Sequence, residues 1–214
     1  MDQELKQSIK KNSLLLAAFA LSVALSVGLV NELTREQIIF QFQEAERRAL
    51  FEVLPPASHN NDLLHDNILL EPLDPRFRNL DLLGLSAARK AYTARLDGRI
   101  SGVILPLEVH DGYSGDIVML VGIDAAARIT GVRVISHRET PGLGDKVDLR
   151  VSEWILGFDG KSLQNPPVTK WLVKKDGGDF DQFTGATITP RAVVNGVRKA
   201  LLFFSENRTQ LLGE

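Results

Sequence analysis

Three threonines crowd the segment Asp181-Gln182-Phe183-Thr184-Gly185-Ala186-Thr187-Ile188-Thr189-Pro190. Behind them Val193, Val194, Val197, Leu201, Leu202 and Phe204 recur at helical intervals, so the spacing predicts an amphipathic helix over Pro190–Thr209. Proline suits the first helical position, where its missing N–H would have had no partner. Thr189 is then the expected N-cap. Free backbone N–H groups and the positive end of the helix dipole gather at such a point and favour a phosphate. Gly185 and Ala186 let a bulky ligand approach the backbone. The hydroxyls of Thr184 and Thr187 offer hydrogen bonds or, from one of them, an ester oxygen to phosphorus. Threonine-rich caps that bind nothing are common, so the residues alone leave both a phosphate site and a plain cap open.

Other chemistry-bearing residues carry less. His59, His65, His110 and His137 show no metal-ligand spacing, and His59 and His65 fall in an irregular stretch where histidines are usually solvated. Trp154 and Trp171 read as core or interface residues rather than stacking partners. Lys174-Lys175 reads as a solvated strand end. Asp159-Gly160-Lys161-Ser162 has the letters of a phosphate loop but lacks the earlier glycine at the required spacing. No G-x-G-x-x-G stands between a strand and a helix, so a nicotinamide fold is not expected.

The order Asp181-Gln182-Phe183-Thr184-Gly185-Ala186-Thr187 resembles the D-x-x-[ST]-G-A-[ST] flavinylation motif. That motif marks the covalently flavinylated members of the Rnf/Rsx electron transport complexes and of the sodium-pumping NADH:quinone reductase. The resemblance implies FMN joined through its phosphate to Thr187, one per chain, installed by a flavin transferase that uses FAD as donor. It also implies that Asp181 is read by the transferase, and that Thr184, Gly185 and Ala186 lie against the cofactor. A second segment, Glu139-Thr140-Pro141-Gly142-Leu143-Gly144, is similar to the flavin-contacting loop of the same FMN-binding domain. Its proline and glycines impose a tight turn that bares backbone N–H and C=O groups; taken by itself it is an ordinary strand-ending turn. Asp111-Gly112-Tyr113-Ser114-Gly115 resembles a third family element, which implies Tyr113 packing on the isoalloxazine; by itself a hairpin tyrosine is an ordinary turn residue.

The chain's length and the wording of both motifs are similar to the RnfG/RsxG family rather than to the longer homologous component of the quinone reductase. The resemblance implies an electron carrier within a membrane complex, not a complete enzyme, coupling electron flow between ferredoxin and NAD to ion translocation. In some bacteria the related complex keeps an oxidant-sensing transcription factor reduced. Implied partners are the other members of the Rnf/Rsx complex, the transferase and membrane lipid. An anchored extracytoplasmic scaffold or ligand-binding module without a redox role, or the equivalent component of the Na⁺-translocating NADH:quinone reductase, are the alternatives.

The composition sets outer bounds. Twenty-five basic against 27 acidic residues give a net charge of −2, which argues against a nucleic-acid partner. With no cysteine, structural disulfides, zinc ribbons, iron–sulfur clusters and thiol catalysis are excluded. At 214 residues and 44% hydrophobic, the chain can bury a core without staples.

The elements that must position these residues read as α+β, an antiparallel sheet with flanking helices preceded by one N-terminal transmembrane helix. Strands are expected at Asn67–Leu70, Lys90–Leu96, Arg99–His110, Asp116–Ile123 and Arg128–His137, joined by turns such as Asp97-Gly98. Pro106 suggests an edge strand or bulge. A short helix near Ser152–Leu156 and a strand near Thr169–Lys175 complete the body. Thr34 with Gln37 has capping-box spacing, ahead of Ile38, Ile39, Phe42, Ala45, Ala49, Leu50 and Val53 at helical intervals, and Pro55-Pro56 ends that helix.

Ser13–Val30 is a run of 18 uncharged residues. As a helix it spans about 27 Å, close to the hydrocarbon thickness of a bilayer. Lys6, Lys10 and Lys11 precede it and only Arg35 follows closely, which favours a cytoplasmic N-terminus. A cleaved signal peptide ending near Ser26-Val27-Gly28 and a buried core helix fit less well, because the run is long and has no polar stripe. The expected organisation is a cytoplasmic tail over 1–12, a transmembrane helix over 13–31, a helix and irregular connection over 32–89, and an FMN-binding core over 90–214. The location implied is the bacterial inner membrane, single-pass, with the domain periplasmic.

Overall fold

Apolar residues alternate with period two along β3, Arg99–Val109, and β4, Ile117–Asp124, and this alternation divides the sheet into two buried faces. Val103, Leu105, Leu107 and Val109 join Ile117, Met119, Val121 and Ile123 on one face. Ile104 lies on the other, with Tyr92 and Ala94. The computed structural model describes the backbone of residues 2–213 and the side chains of residues 7–35, 37, 40, 44 and 47–213. Lys6, Ile38, Ile39, Phe42 and Ala45, invoked above, have side chains outside the described ones.

Three further strands complete a meander in the order β1-β2-β3-β4-β5, every neighbour antiparallel: β1 is Asn67–Leu70, β2 Arg89–Leu96 and β5 Ile129–Ser136. The β2–β3 turn falls at Asp97-Gly98, both with positive φ as such tight hairpins require. Pro106 does not mark an edge strand, since β3 is central. It pairs with Leu120 of β4, whereas the ladder to β2 stops at Ile104, so the missing N–H breaks no bond there.

Two compact units emerge, Met1–Glu46 and Arg47–Glu214. The first belongs to helix α1, Asp2–Val53. Thr34 starts no new helix: its hydroxyl donates back to the Val30 carbonyl at 2.8 Å, so the capping-box expectation fails. Gln7–Arg35 is long and apolar enough to cross a membrane, and Leu14, Leu16, Phe19, Leu21 and Leu25 stand exposed along it.

In the second unit the last turn of α1 caps the smaller face, with Leu50, Val53 and Leu54 buried beside Leu63, Tyr92 and Ile104. Thr130 Oγ1 donates to the Val53 carbonyl at 2.8 Å and closes that helix end. The larger face is covered by α2, Ile188–Glu206, whose Val193, Val194, Val197, Leu201 and Phe204 are buried. A short α3, Arg208–Leu212, follows.

Between β5 and α2 the chain runs through 3₁₀ turns at Gly144–Val147, Glu153–Phe158, Val168–Lys170 and Lys174–Asp176. The strand expected near Thr169–Lys175 is absent, and Lys174-Lys175 is therefore no strand end. Only Val173 forms a bridge, to Phe180. Trp171, fully buried, sets the conformation instead: its Nε1–H donates to the carbonyls of Ser162 and Pro166, both at 3.1 Å, and the wrapped chain has no strand partner. His59 is buried rather than solvated, with its ring 5.7 Å from that of Phe51.

Candidate functional site

The carboxylate of Glu139, 5% exposed, joins three separate segments. Its Oε1 accepts the Ser114 N–H at 3.0 Å, and its Oε2 accepts the Thr189 hydroxyl at 2.5 Å. The hairpin turn carrying Tyr113, the loop after β5 and the start of α2 are thereby held together. Gly144 packs beneath: a Cβ there would stand 2.4 Å from Glu139 Oε2 and 2.8 Å from Thr189 Oγ1, so any larger residue must push the bonded pair aside.

Above this junction lies a cavity of about 360 Å³, within the size range of small-molecule sites. Tyr113, Glu139, Thr140, Leu143, Gly144, Gly185, Ala186 and Thr187 line it, together with Ile188 and Thr189. Tyr113 is 67% exposed, Leu143 43% and Ile188 44%, so apolar groups from three segments stand at its open rim. Eight of the eleven residues expected at the site thus share one cavity. Thr184, Pro141 and Gly142 are not among the lining residues; they are exposed turn positions beside it.

Each wall has a local cause. Thr140–Leu143 is a turn closed by a 3.1 Å bond from the Leu143 N–H to the Thr140 carbonyl, with Gly142 at φ +78°. Phe183–Ala186 repeats that construction: the Ala186 N–H donates to the Phe183 carbonyl at 3.1 Å, and Gly185 takes φ +80°. Both turns use glycine where a left-handed conformation is needed.

The helix begins earlier than expected. Thr187, not Thr189, is the N-cap of α2, and Pro190 falls inside the first turn rather than at its first position. Thr189 spends its hydroxyl on Glu139 instead of capping. The Thr187 side chain makes no capping bond, and this half-buried residue lines the cavity at the positive end of a 19-residue helix. Because Pro190 has no N–H, the first turn offers the amides of Ile188 and Thr189.

Sequence reasoning missed the fastenings around the threonine segment. Trp154 Nε1–H donates to the Asp181 carbonyl at 2.8 Å and its ring meets Phe183 edge-on at 5.1 Å. Asp181 itself pairs with Lys174 Nζ at 2.6 Å on the surface. Arg191 forks onto Asp176 at 2.7 and 3.0 Å and holds the Asp176 carboxyl below its ordinary range. No spacing signal announces such partners, because each pair closes a loop of irregular chain.

A second anchor holds the Tyr113 turn from outside. His110 Nδ1 lies 2.8 Å from Asp116 Oδ1, and Nε2 lies 2.7 Å from the Gly84 carbonyl. With an acceptor at each nitrogen the protonated ring is favoured, and the Asp116 hydrogen bond first, then that to Gly84, raises its pKa. Behind the loop, Asp148 is held below the usual carboxylate range chiefly by its hydrogen bonds to Arg150. Among the described residues no cluster of His, Cys, Asp and Glu is arranged to hold a metal ion.

The FMN-binding domain family matches residues 112–202, which contain every cavity-lining residue named above. The family described as RnfG N-terminal region matches residues 1–53. Over 212 residues, 99% of this chain and 96% of the relative, the sequence is 51% identical to the G subunit of the ion-translocating oxidoreductase complex of Pseudomonas aeruginosa strain UCBPP-PA14. It is 45% identical to the protein of the same name from Aliivibrio fischeri strain ES114, over 95% of this chain and 94% of that one. A Shewanella loihica protein of that name is 44% identical over 97% and 95% of the two chains.

Proposed function

Because this chain belongs to the RnfG family, the G subunits of ion-translocating oxidoreductase complexes, we propose that it serves as an electron carrier in such a complex through FMN esterified to Thr187. The observation that carries the attachment is the Thr187 hydroxyl. It stands uncapped at the N-terminus of α2, on the wall of a cavity within the matched FMN-binding domain. In the attachment step Thr187 Oγ1 forms a bond to the FMN phosphorus of FAD and gives up its proton. The P–O–P bond breaks, and AMP leaves. A flavin transferase supplies the catalysis for that step, with Asp181 exposed for it to read.

The residues of the chain fit the group. The amides of Ile188 and Thr189 and the helix dipole stabilise a phosphodiester at Thr187. Tyr113, Leu143 and Ile188 offer apolar surface to a flat ring, and Glu139 keeps the walls in register. When bound, FMN supplies one- or two-electron redox chemistry, and the protein's share is binding, orientation and tuning. Donor, acceptor and ion path then belong to other members of the complex.

In the same proposal residues 13–31 are the membrane anchor in contact with lipid, with residues 1–12 on the cytoplasmic side and the domain on the periplasmic side of the inner membrane. Residues 90–214 form the flavin-bearing core, and 32–89 connect the two. Protease added outside intact spheroplasts should degrade the domain; protection of the domain there, with cleavage in inverted vesicles, contradicts this orientation.

Tryptic mass spectrometry tests the attachment. The peptide Asp176–Arg191, from protein made with an active transferase, should gain the mass of FMN less one water, with the modified residue fragmenting at Thr187. An unmodified peptide, or the mass on Thr184, overturns it.

A further inference from the structure

Two glutamates are buried against the sheet and its loops, and they differ in compensation. Glu108 has Arg89 at 2.7 Å and the Ser86 N–H and hydroxyl. Glu139 is equally buried, yet among the described residues no Lys, Arg or His lies within ion-pair distance of its carboxylate. A backbone N–H and one hydroxyl are its partners. Both of its oxygens accept: Oε1 takes the Ser114 N–H and Oε2 the Thr189 hydroxyl. A buried carboxylate without a counter-ion is costly, and a fold that needed only a strut here would be served by a neutral side chain.

Its position gives the charge a use. Glu139 lines the same cavity as Thr187, and Gly144 packs against both its carboxylate and the Thr189 hydroxyl. Because Glu139 is itself buried, a charge on it is screened less than one on a surface carboxylate. We infer that Glu139 is a potential-setting residue, whose carboxylate beside the cavity makes a bound flavin harder to reduce and so holds its midpoint potential low. The inference rests on the proposal that the cavity holds FMN. The positive end of α2 acts in the opposite sense at the phosphate; the carboxylate lies in the cavity wall formed by the loop and the hairpin turn.

The test is a spectroelectrochemical titration of the full-length flavin-bearing protein and two variants. Glu139→Gln keeps the length of the side chain and an oxygen for the Ser114 N–H while removing the charge, and its midpoint should move positive. Thr189→Val keeps the carboxyl group and removes a hydrogen bond that stabilises its charge, and at a pH well above the carboxyl range its midpoint should move negative. Opposite shifts are not expected of two variants that merely loosen the same junction. A flavin-bearing Glu139→Gln whose midpoint stays at or below that of wild type overturns the role. Should Glu139→Gln fail to fold, an unchanged or positive midpoint in Thr189→Val does the same. A wild type that takes up no FMN, covalent or free, instead overturns the site on which the inference stands.

Discussion

Thr189 Oγ1 donates to Glu139 Oε2 at 2.5 Å, across fifty positions of sequence and with both groups buried. That bond fixes the first turn of α2 against the loop after β5, and it determines where the Thr187 hydroxyl stands. Removing the acceptor with Glu139→Ala leaves the Thr189 hydroxyl and the Ser114 N–H without their partner. We expect a loss of about 1–3 kcal/mol in unfolding free energy. Urea titration checks it, and an unchanged midpoint would contradict the bridging role.

Gly144 and Gly185 separate two reasons for glycine. Gly144→Ala drives a Cβ to 2.4 Å from Glu139 Oε2, and overpacking of this kind costs about 1–3 kcal/mol. Gly185→Ala has open space, with Leu143 Cδ2 at 3.9 Å, but must hold φ +80°, a strain of about 1 kcal/mol. Gly144→Ala should therefore lower the melting temperature more; the reverse order contradicts the packing of Gly144 against Glu139.

His110 predicts a pH dependence of definite sign. Its folded-state pKa lies above the ordinary 6.5, first through Asp116 and then through the Gly84 carbonyl. The clamp on the Tyr113 turn is therefore fully present below the ordinary value, and it is lost as pH rises through the folded value. Stability of the wild type relative to His110→Gln should fall across that window. A difference independent of pH would show that the ring holds the turn without its charge.

Trp154→Phe keeps an aromatic ring for Phe183 but loses the 2.8 Å bond to the Asp181 carbonyl. The expected cost is about 0.5–1.5 kcal/mol, with faster hydrogen exchange confined to the segment around Asp181–Phe183. Exchange spread evenly over the domain would count against a local fastening.

The strands were legible because period-two apolar patterns and Asp-Gly turns are local signals: Asn67–Leu70 matches to the residue, and the other four fall within a residue or so at each end. The turn residues of the cavity were legible too, as glycines and a proline that a tight backbone requires. Thr169–Lys175 misled because β-rich composition there serves a wrap around Trp171, a contact no local pattern encodes. Thr34 misled because a cap and a back-bonded helical threonine have the same spelling, and the i−4 carbonyl decides between them. Pro190 misled similarly, since the first turn tolerates proline at more than one position. The partners of Glu139 lie 25 and 50 residues away, so its bridging role emerges only from the fold.

The most direct test of the account is fluorescence of the full chain in a denaturing gel, after expression with an active flavin transferase, beside Thr187→Ala. A fluorescent wild-type band that survives denaturation is expected, beside a dark Thr187→Ala band at equal loading. A dark wild type, with the transferase active on a control substrate, or a Thr187→Ala band as bright as wild type, would contradict a flavin carried on Thr187.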